Sequence, residues 1–175
     1  RAALSHRSLG SDSTFPVFSA SLVPRLVFDR STFIFTSLSA SSRVDDGGYQ
    51  NLLASAQLRA YQRVRDIHSM ALRFRFDAIN RPEDAAQFLL GVDRGLRGYP
   101  PRRLDGNRRF ILNLEARPTF VTKSNYVLAA ALFIDAGAAW SAPAKAHPSV
   151  AVGGGARIGL PRVYSMPVIR IDVAK

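Results

Sequence analysis

The residues most capable of catalysis or metal binding are few and scattered in this sequence. His6, His68 and His147 have no metal-ligand spacing, and the absence of cysteine excludes disulfides and thiolate metal sites. The glycine run 153–155 is not followed by a Lys-Ser or Lys-Thr pair, so it is not a phosphate-binding loop. The segment 45–48 lacks the further oxygen ligands of a calcium loop. The sequence therefore predicts a protein that is not an enzyme, with no catalytic residue, metal, cofactor or small-molecule substrate.

A strong positive charge is the other chemical feature of the chain. The formal net charge is +11 over 175 residues, and among 24 basic residues only Lys123, Lys145 and Lys175 are lysines. Such a charge is typical of a nucleic-acid-binding surface. The arginines are instead spread singly along alternating segments, and a guanidinium stays charged and hydrogen-bonded in a confined polar space. This favours arginines that line an enclosed surface, with no nucleic acid as partner; a soluble Arg-rich β-domain that binds nucleic acid is the alternative.

Alternating apolar and polar residues predict the strands that must position these side chains. In the segment 109–120 the alternation is nearly perfect, and only Ile111 breaks it. Similar segments lie at 52–61, 69–78, 128–140, 150–160 and 169–173, and less regular ones at 14–29, 32–44 and 85–92. Turn or loop residues separate them, and no helical segment intervenes. We predict one all-β domain, residues 1–175, with about nine strands in an antiparallel meander.

Strand length and the polar face distinguish a membrane barrel from a soluble β-sandwich, which alternates in the same way. Several segments run 12 residues or more. Sandwich strands average about 5–6 residues, whereas membrane strands need about 9–11. A charge that faces lipid costs about 2–4 kcal/mol at mid-bilayer, so the arginines should line a wet lumen. Tyr126 and Trp140 near the ends of one segment are placed as interfacial aromatic residues are. The sequence predicts an antiparallel up-and-down transmembrane β-barrel.

Two motifs carry a family resemblance. Leu96-Arg97-Gly98-Tyr99 resembles the [VL]-R-G-[FY] loop signature of the BamA-like superfamily of outer-membrane assembly and translocation barrels. Downstream, Phe133-Ile134-Asp135-Ala136-Gly137 resembles the F-x-D-x-G strand signature of the same superfamily. The segment 113–117, which contains Glu115, is similar to its glutamate-bearing strand. The resemblance covers 88–174 and implies the C-terminal portion of a sixteen-stranded barrel.

The resemblance also implies how the motif residues act. In that superfamily the loop, here 94–107, folds back into the barrel lumen, and its arginine pairs with acidic residues of the inner wall. Arg97 would then meet Asp135 and Glu115 in a sheltered guanidinium–carboxylate pair. Gly98 would allow a tight turn and Tyr99 would pack at the loop tip. The alternation independently places both acids on the polar face. The alternative is an exposed Arg97 and an Asp135 that caps a turn.

The implied function is handling of polypeptides at the bacterial outer membrane. The protein would insert outer-membrane proteins or translocate polypeptides, with the lipid bilayer, polypeptide clients and accessory assembly proteins as partners. A second hypothesis is a barrel that serves as anchor or channel for an upstream patatin-like lipase domain. The chain departs from the family pattern because it has fewer strands than sixteen, lacks a periplasmic polypeptide-transport domain, and stops where one further strand is expected. Residues 1–6 contain neither an initiator Met nor an apolar signal core, so we expect the chain to begin inside a longer gene product.

Overall fold

The computed structural model describes residues 1–6, 8, 14–45, 48–65, 67–82, 86–162 and 168–175. The strands in these ranges are β1 (Ala2–Ser5), β2 (Phe15–Leu22), β3 (Arg25–Val27), β4 (Thr32–Asp45), β5 (Gly48–Val64), β6 (His68–Asn80), β7 (Phe88–Leu90), β8 (Leu104–Gly106), β9 (Arg108–Arg117), β10 (Thr119–Thr122), β11 (Val127–Trp140), β12 (Ser149–Gly159) and β13 (Val168–Ala174). One turn of 3-10 helix, Val92–Arg94, lies between β7 and β8. Within these ranges no helix is long and apolar enough to cross a membrane.

Eleven of the strands form one antiparallel sheet. Its main path is β1-β2-β4-β5-β6-β9-β11-β12-β13, with β3 paired to β4 and β10 paired to β11. Neighbours in the path follow one another along the chain, apart from the short strands that lie off it, so the predicted all-β antiparallel meander is confirmed. The sheet is not closed into a barrel, and in the described part of the chain β1 and β13 lie at its two edges.

Prolines divide two of the predicted strands. The segment 14–29 contains β2 and β3, which are separated at Val23 and Pro24. The segment 109–120 contains all of β9 but its first residue, and the start of β10, which are separated at Pro118. Proline has no backbone N–H to donate to a strand ladder. The alternation of side chains continues across each proline although the hydrogen-bonded ladder does not, which is why the sequence pattern merges the two strands.

The prediction that 85–92 is a strand of the meander is wrong. Residue 85 lies outside the described residues, and in the remainder only β7 is a strand, which pairs with β8 in a separate two-stranded sheet. β6 pairs directly with β9 instead. Leu90, within β7, is fully buried against Leu96 and Ile111. The apolar run at this position therefore reflects packing under a loop. Its strand-like composition alone does not distinguish such a segment from a strand of the main sheet.

The two faces of the sheet are arranged in the opposite sense to those of a soluble sheet. One face, which we call the outer face, exposes apolar side chains, among them Leu132 at 61% and Val152 at 54%. The other, the inner face, carries charged side chains, among which Asp77 and Asp135 are fully buried. A soluble antiparallel sheet packs its apolar face on the core and solvates the polar one. A continuous exposed apolar face of this kind marks a surface that contacts something other than water.

A loop covers part of the inner face. The inner loop, residues 91–107, leaves β7, includes the 3-10 turn and β8, and returns to the sheet at β9. Its Leu96 is fully buried with Leu90 of β7 and Ile111 of β9, and Tyr99, Leu104 and Ala139 pack around them. Full burial of an aliphatic side chain contributes about 1.5–3 kcal/mol. The apolar core of this chain therefore lies between the inner loop and the sheet.

Candidate functional site

The strand register brings four side chains of β9 and β11 together on the inner face. Phe133 pairs directly with Glu115, and Asp135 pairs directly with Asn113. Residues directly opposite each other on antiparallel strands point to the same face and are in contact distance. The inner loop lies over this group and brings Arg97 to it. We call Arg97, Asn113, Glu115, Phe133 and Asp135 the Arg97 site.

Arg97 is bound to both acids of the site. Its Nε donates to Oδ2 of Asp135 at 2.7 Å and its Nη2 donates to Oδ1 at 2.9 Å, a bidentate pair. Its Nη1 donates to Oε2 of Glu115 at 2.9 Å. The backbone N–H of Arg97 donates to Oδ2 of Asp135 at 3.2 Å. The structure thus brings Arg97 together with Asp135 and Glu115.

Asn113 and Phe133 complete the surroundings of the ion pairs. The Nδ2 group of Asn113 donates to Oδ1 of Asp135 and to the carbonyl of Gly95, both at 2.7 Å. It therefore joins the loop backbone to the wall carboxylate. The guanidinium carbon of Arg97 lies 3.4 Å from the ring centroid of Phe133, which is in the range of a cation–π interaction. Arg97 is thus held by carboxylates at its edge and by an aromatic ring at its face.

The electrostatics of the site keep Arg97 charged. Burial of the guanidinium by itself lowers the pKa of Arg97, but hydrogen bonds to Asp135 and Glu115 outweigh it and hold that pKa above its ordinary value. Asp135 is fully buried, and the side chains of Glu115 and Arg97 are 8% and 16% exposed. A buried carboxylate is stable only when it is paired and hydrogen-bonded. Each partner in this site therefore depends on the other.

Further ion pairs extend the site towards β12 and β13. Glu115 also accepts a hydrogen bond from Nε of Arg117 at 2.7 Å and lies 3.5 Å from Nη2 of Arg157. Arg157 in turn donates to Asp172 of β13, which lies 3.6 Å from Nη1 of Arg97. The site is therefore the centre of a network that joins four strands of the sheet to the inner loop.

The remaining residues of the loop motif hold the loop tip against β12 and β13. Gly98 has a φ of +85°, in the left-handed region that favours glycine. A Cβ on Gly98 would lie 3.3 Å from the Cβ of Ala151 and 3.4 Å from that of Ala174. Tyr99 donates its hydroxyl to the carbonyl of Val150 at 3.1 Å. Gly98 thus forms the tight turn that the motif predicts, and Tyr99 lies at the tip.

Gly137, the last residue of the strand motif, has a different neighbour from Asp135. A Cβ on Gly137 would lie 2.9 Å from Cδ2 of Leu90 and 3.0 Å from the carbonyl oxygen of Phe110. Gly137 therefore makes room for Leu90, which belongs to the apolar core under the loop, and does not contact Arg97. Its absent side chain lets the base of the loop approach the sheet.

A second buried carboxylate, which the sequence does not single out, holds the base of the loop. Asp77 of β6 accepts hydrogen bonds from Nη2 of Arg109 at 2.5 Å, Nε of Arg75 at 2.9 Å and the hydroxyl of Ser55 at 2.8 Å. Arg109 also donates to the carbonyl of Leu89 in β7 at 2.8 Å. In the sequence, Ile111 was the signal that the loop packs on this part of the sheet, because it alone breaks the alternation of its strand and it packs under the loop.

The site residues form ion pairs on the inner face, and these ion pairs hold the inner loop in place. Every acid described above accepts hydrogen bonds from arginine. Among the described residues, no group of three or more His, Cys, Asp or Glu could hold a metal ion. Residues 46 and 47, in the segment considered as a calcium loop, lie outside the described residues.

No family model matches the chain, and no curated protein matches it. The resemblance to the BamA-like superfamily therefore rests on the motifs in the inner loop, β9 and β11.

Proposed function

We propose that this chain is part of a sixteen-stranded β-barrel of the BamA-like superfamily in the bacterial outer membrane. The parent protein inserts outer-membrane proteins or translocates polypeptides across that membrane. One observation carries the proposal: the sheet exposes its apolar face and buries its charged face under a loop that Arg97 attaches to Asp135 and Glu115.

The inverted faces support the membrane part of the proposal. Leu132, Val152 and Met70 are each more than half exposed on the outer face, which suits contact with lipid tails. Arg75 of β6 and Arg109 and Arg117 of β9 pair with carboxylates on the inner face, where no lipid would meet them. A bilayer does not tolerate unpaired strand edges, so β1 and β13 would pair with further strands of the complete barrel.

The Arg97 site supports the family part of the proposal. The loop signature and the strand signature are far apart in the sequence, and their arginine and aspartate form a bidentate pair. Such a pair would keep the loop inside the lumen and support the wall while a client passes or while the barrel seam opens. The same site would also suit a barrel that only anchors a lipase domain, so the client remains to be tested separately.

The nucleic acid alternative is less well supported by the same contacts. A nucleic-acid surface presents arginines outwards to phosphates. Here Arg75, Arg97, Arg109 and Arg157 are paired with acids of the inner face, and the exposed face is apolar.

Spin labels on the two faces test the membrane part of the proposal. The chain has no cysteine, so single substitutions can be labelled cleanly. In lipid vesicles we expect labels at Leu132→Cys and Val152→Cys to collide mainly with oxygen, which concentrates in the bilayer. Labels at Ser39→Cys and Gln57→Cys, on the inner face, should collide mainly with a water-soluble nickel chelate. Equal accessibility of both faces to the chelate would contradict a membrane-embedded sheet.

The folding rate of a client tests polypeptide handling. A urea-denatured small outer-membrane β-barrel protein is added to vesicles with and without the protein. We expect the protein to accelerate folding of this client, and Arg97→Ala to remove most of the acceleration. Equal rates in both kinds of vesicle would argue against the insertion activity and favour the anchor hypothesis.

A further inference from the structure

A positively charged cavity lies between the inner loop and the inner face. Its volume is about 530 Å³, and it lies beside the Arg97 site. Among the described residues, six arginines line it, together with the carboxylates of Asp93 and Glu115: Arg73, Arg75, Arg94, Arg97, Arg109 and Arg170. We call this space the arginine chamber.

Five of these arginines have acidic partners. Arg75 and Arg109 pair with Asp77, and Arg97 pairs with Asp135 and Glu115. Arg94 lies 3.6 Å from Asp93, and Arg170 lies 4.0 Å from Asp172. Arg73 differs from all of them. Its Nε is buried without a hydrogen-bond partner, and no acid in the described part of the chain pairs with it.

The strand register makes the position of Arg73 still less favourable. Arg73 of β6 is directly opposite Arg59 of β5 on the inner face. Like charges directly opposite each other on neighbouring strands destabilise a sheet. On its other side Arg73 is opposite Asn113 of β9, a neutral side chain that brings no negative charge. The two facing arginines therefore concentrate positive charge at this point of the inner face.

We propose that the arginine chamber binds an oxyanion, a phosphate or a carboxylate group, with Arg73 as its central ligand and Arg75 beside it. The planar guanidinium donates in parallel to either kind of oxyanion. A cavity of this volume also leaves room for the molecule that carries the anionic group. The two sources of this chemistry are a free phosphate and the acidic side chains of a peptide. The inference does not depend on the proposed function, because it rests on the charges of the chamber alone.

Calorimetric titration of the intact chain in nonionic detergent tests the proposal. The probes are inorganic phosphate and hexaglutamate, each at an ionic strength held constant with sodium chloride. We expect saturable binding of one or both, and we expect Arg73→Gln to weaken it about tenfold or more, as the loss of a charge-assisted hydrogen bond should. Arg30→Gln is the matched control, since it removes the same charge from an exposed turn and should leave binding unchanged.

The two probes distinguish the sources, and three results overturn the proposal. Tighter binding of phosphate assigns the chamber to a small anion, and tighter binding of hexaglutamate assigns it to an acidic polypeptide segment. Absence of saturable binding of both probes by the unsubstituted chain would overturn the proposal. Equal affinity of the Arg73→Gln variant would do so too, and so would an equal loss in Arg30→Gln.

Thermal unfolding midpoints show whether a substitution weakens binding directly or by destabilising the fold. Without phosphate, Arg73→Gln and Arg59→Gln should each unfold at the same temperature as the unsubstituted chain or higher, because each removes the repulsion between the two arginines. Phosphate should raise the midpoint of the unsubstituted chain and leave that of Arg73→Gln unchanged. A lower midpoint of Arg73→Gln in the absence of phosphate would mean that Arg73 already has a stabilising partner, and would contradict the proposal.

Discussion

Arg97 uses the features that distinguish arginine from lysine. Its Nε, Nη1 and Nη2 all donate to carboxylates, and its planar face lies on Phe133. A lysine ammonium is a point charge on a flexible stem and cannot reproduce this geometry. Asp135 accepts four hydrogen bonds at this site, from the side chain and backbone of Arg97 and from Asn113. Removal of its charge would leave a mostly buried guanidinium with Glu115 and the more distant Asp172.

We expect Asp135→Asn to lower the free energy of unfolding by about 3–5 kcal/mol, because breaking a buried ion pair leaves the partner uncompensated. A urea titration in detergent micelles, followed by the fluorescence of Trp140, the single tryptophan, measures the loss. Asp105→Asn is the matched control. Asp105 is exposed in β8 and its carboxylate has no hydrogen bond or ion pair within the described residues, so its substitution should cost little. A loss at Asp135 no larger than that at Asp105 would contradict a buried ion pair.

The residues that the sequence identified stand in local motifs, whereas those that it did not identify meet only through the pairing of distant strands. Arg97, Glu115 and Asp135 stand in recognisable motifs, and the alternation places both acids on one face. Asp77 and Arg109 carry the same chemistry outside any motif. Their contact depends on the pairing of β6 with β9, which the misassigned strand at 85–92 concealed. Long-range pairing was therefore the missing information.

At the scale of elements, Ile111 shows what a broken pattern can mean. The other inner-face positions of β9 are Arg109, Asn113, Glu115 and Arg117, which are polar. Ile111 is apolar because Leu90 and Leu96 of the loop region pack on it. A single exception in a regular strand thus marked the place where the inner loop meets the sheet.

Ile111→Ala should destabilise the protein by about 2–5 kcal/mol, since it leaves a cavity under the loop. Leu114→Ala, on the outer face of the same strand, removes a side chain that is 42% exposed, and we expect a smaller loss. Urea unfolding in detergent micelles compares the two variants. Equal losses would mean that the loop does not pack on β9 as described.

The elements themselves were predictable to the extent that their side chains alternate. The long strands β4, β5, β6, β11 and β12 follow from period-two patterns and lie where they were expected. Alternation did not predict the strand breaks at Pro24 and Pro118, nor the position of β7 outside the main sheet. These depend on backbone hydrogen bonding and on loop packing, which alternation does not record.

At the scale of the whole molecule, alternation predicts the chemistry of the two faces of the sheet but not whether the sheet closes. The alternation predicted one apolar and one charged face, and the sheet exposes the first and buries much of the second. Closure into a barrel depends on what pairs with the edges at β1 and β13, which alternation within each strand cannot specify. The number of strands in the complete barrel is therefore part of the proposal.

A disulfide between the loop tip and the sheet tests the central claim, that the inner loop is docked on the inner face. In membranes we expect Gly98→Cys with Ala151→Cys to form a disulfide, because the two Cβ positions are 3.3 Å apart, and a small shift of the loop brings them to the separation of about 3.5–4.5 Å found between bonded cysteines. The matched control combines Gly98→Cys with Val152→Cys, one residue further along β12 and on the outer face. Both pairs leave Arg97, Glu115 and Asp135 intact, and the single Gly98→Cys variant controls for strain at its positive φ.

Mobility on a non-reducing gel reports the result. A disulfide in the pair with Ala151→Cys, and none in the pair with Val152→Cys, is the result that this account predicts. No disulfide in a correctly folded Gly98→Cys/Ala151→Cys protein, or equal formation in both pairs, would contradict a loop docked on the inner face.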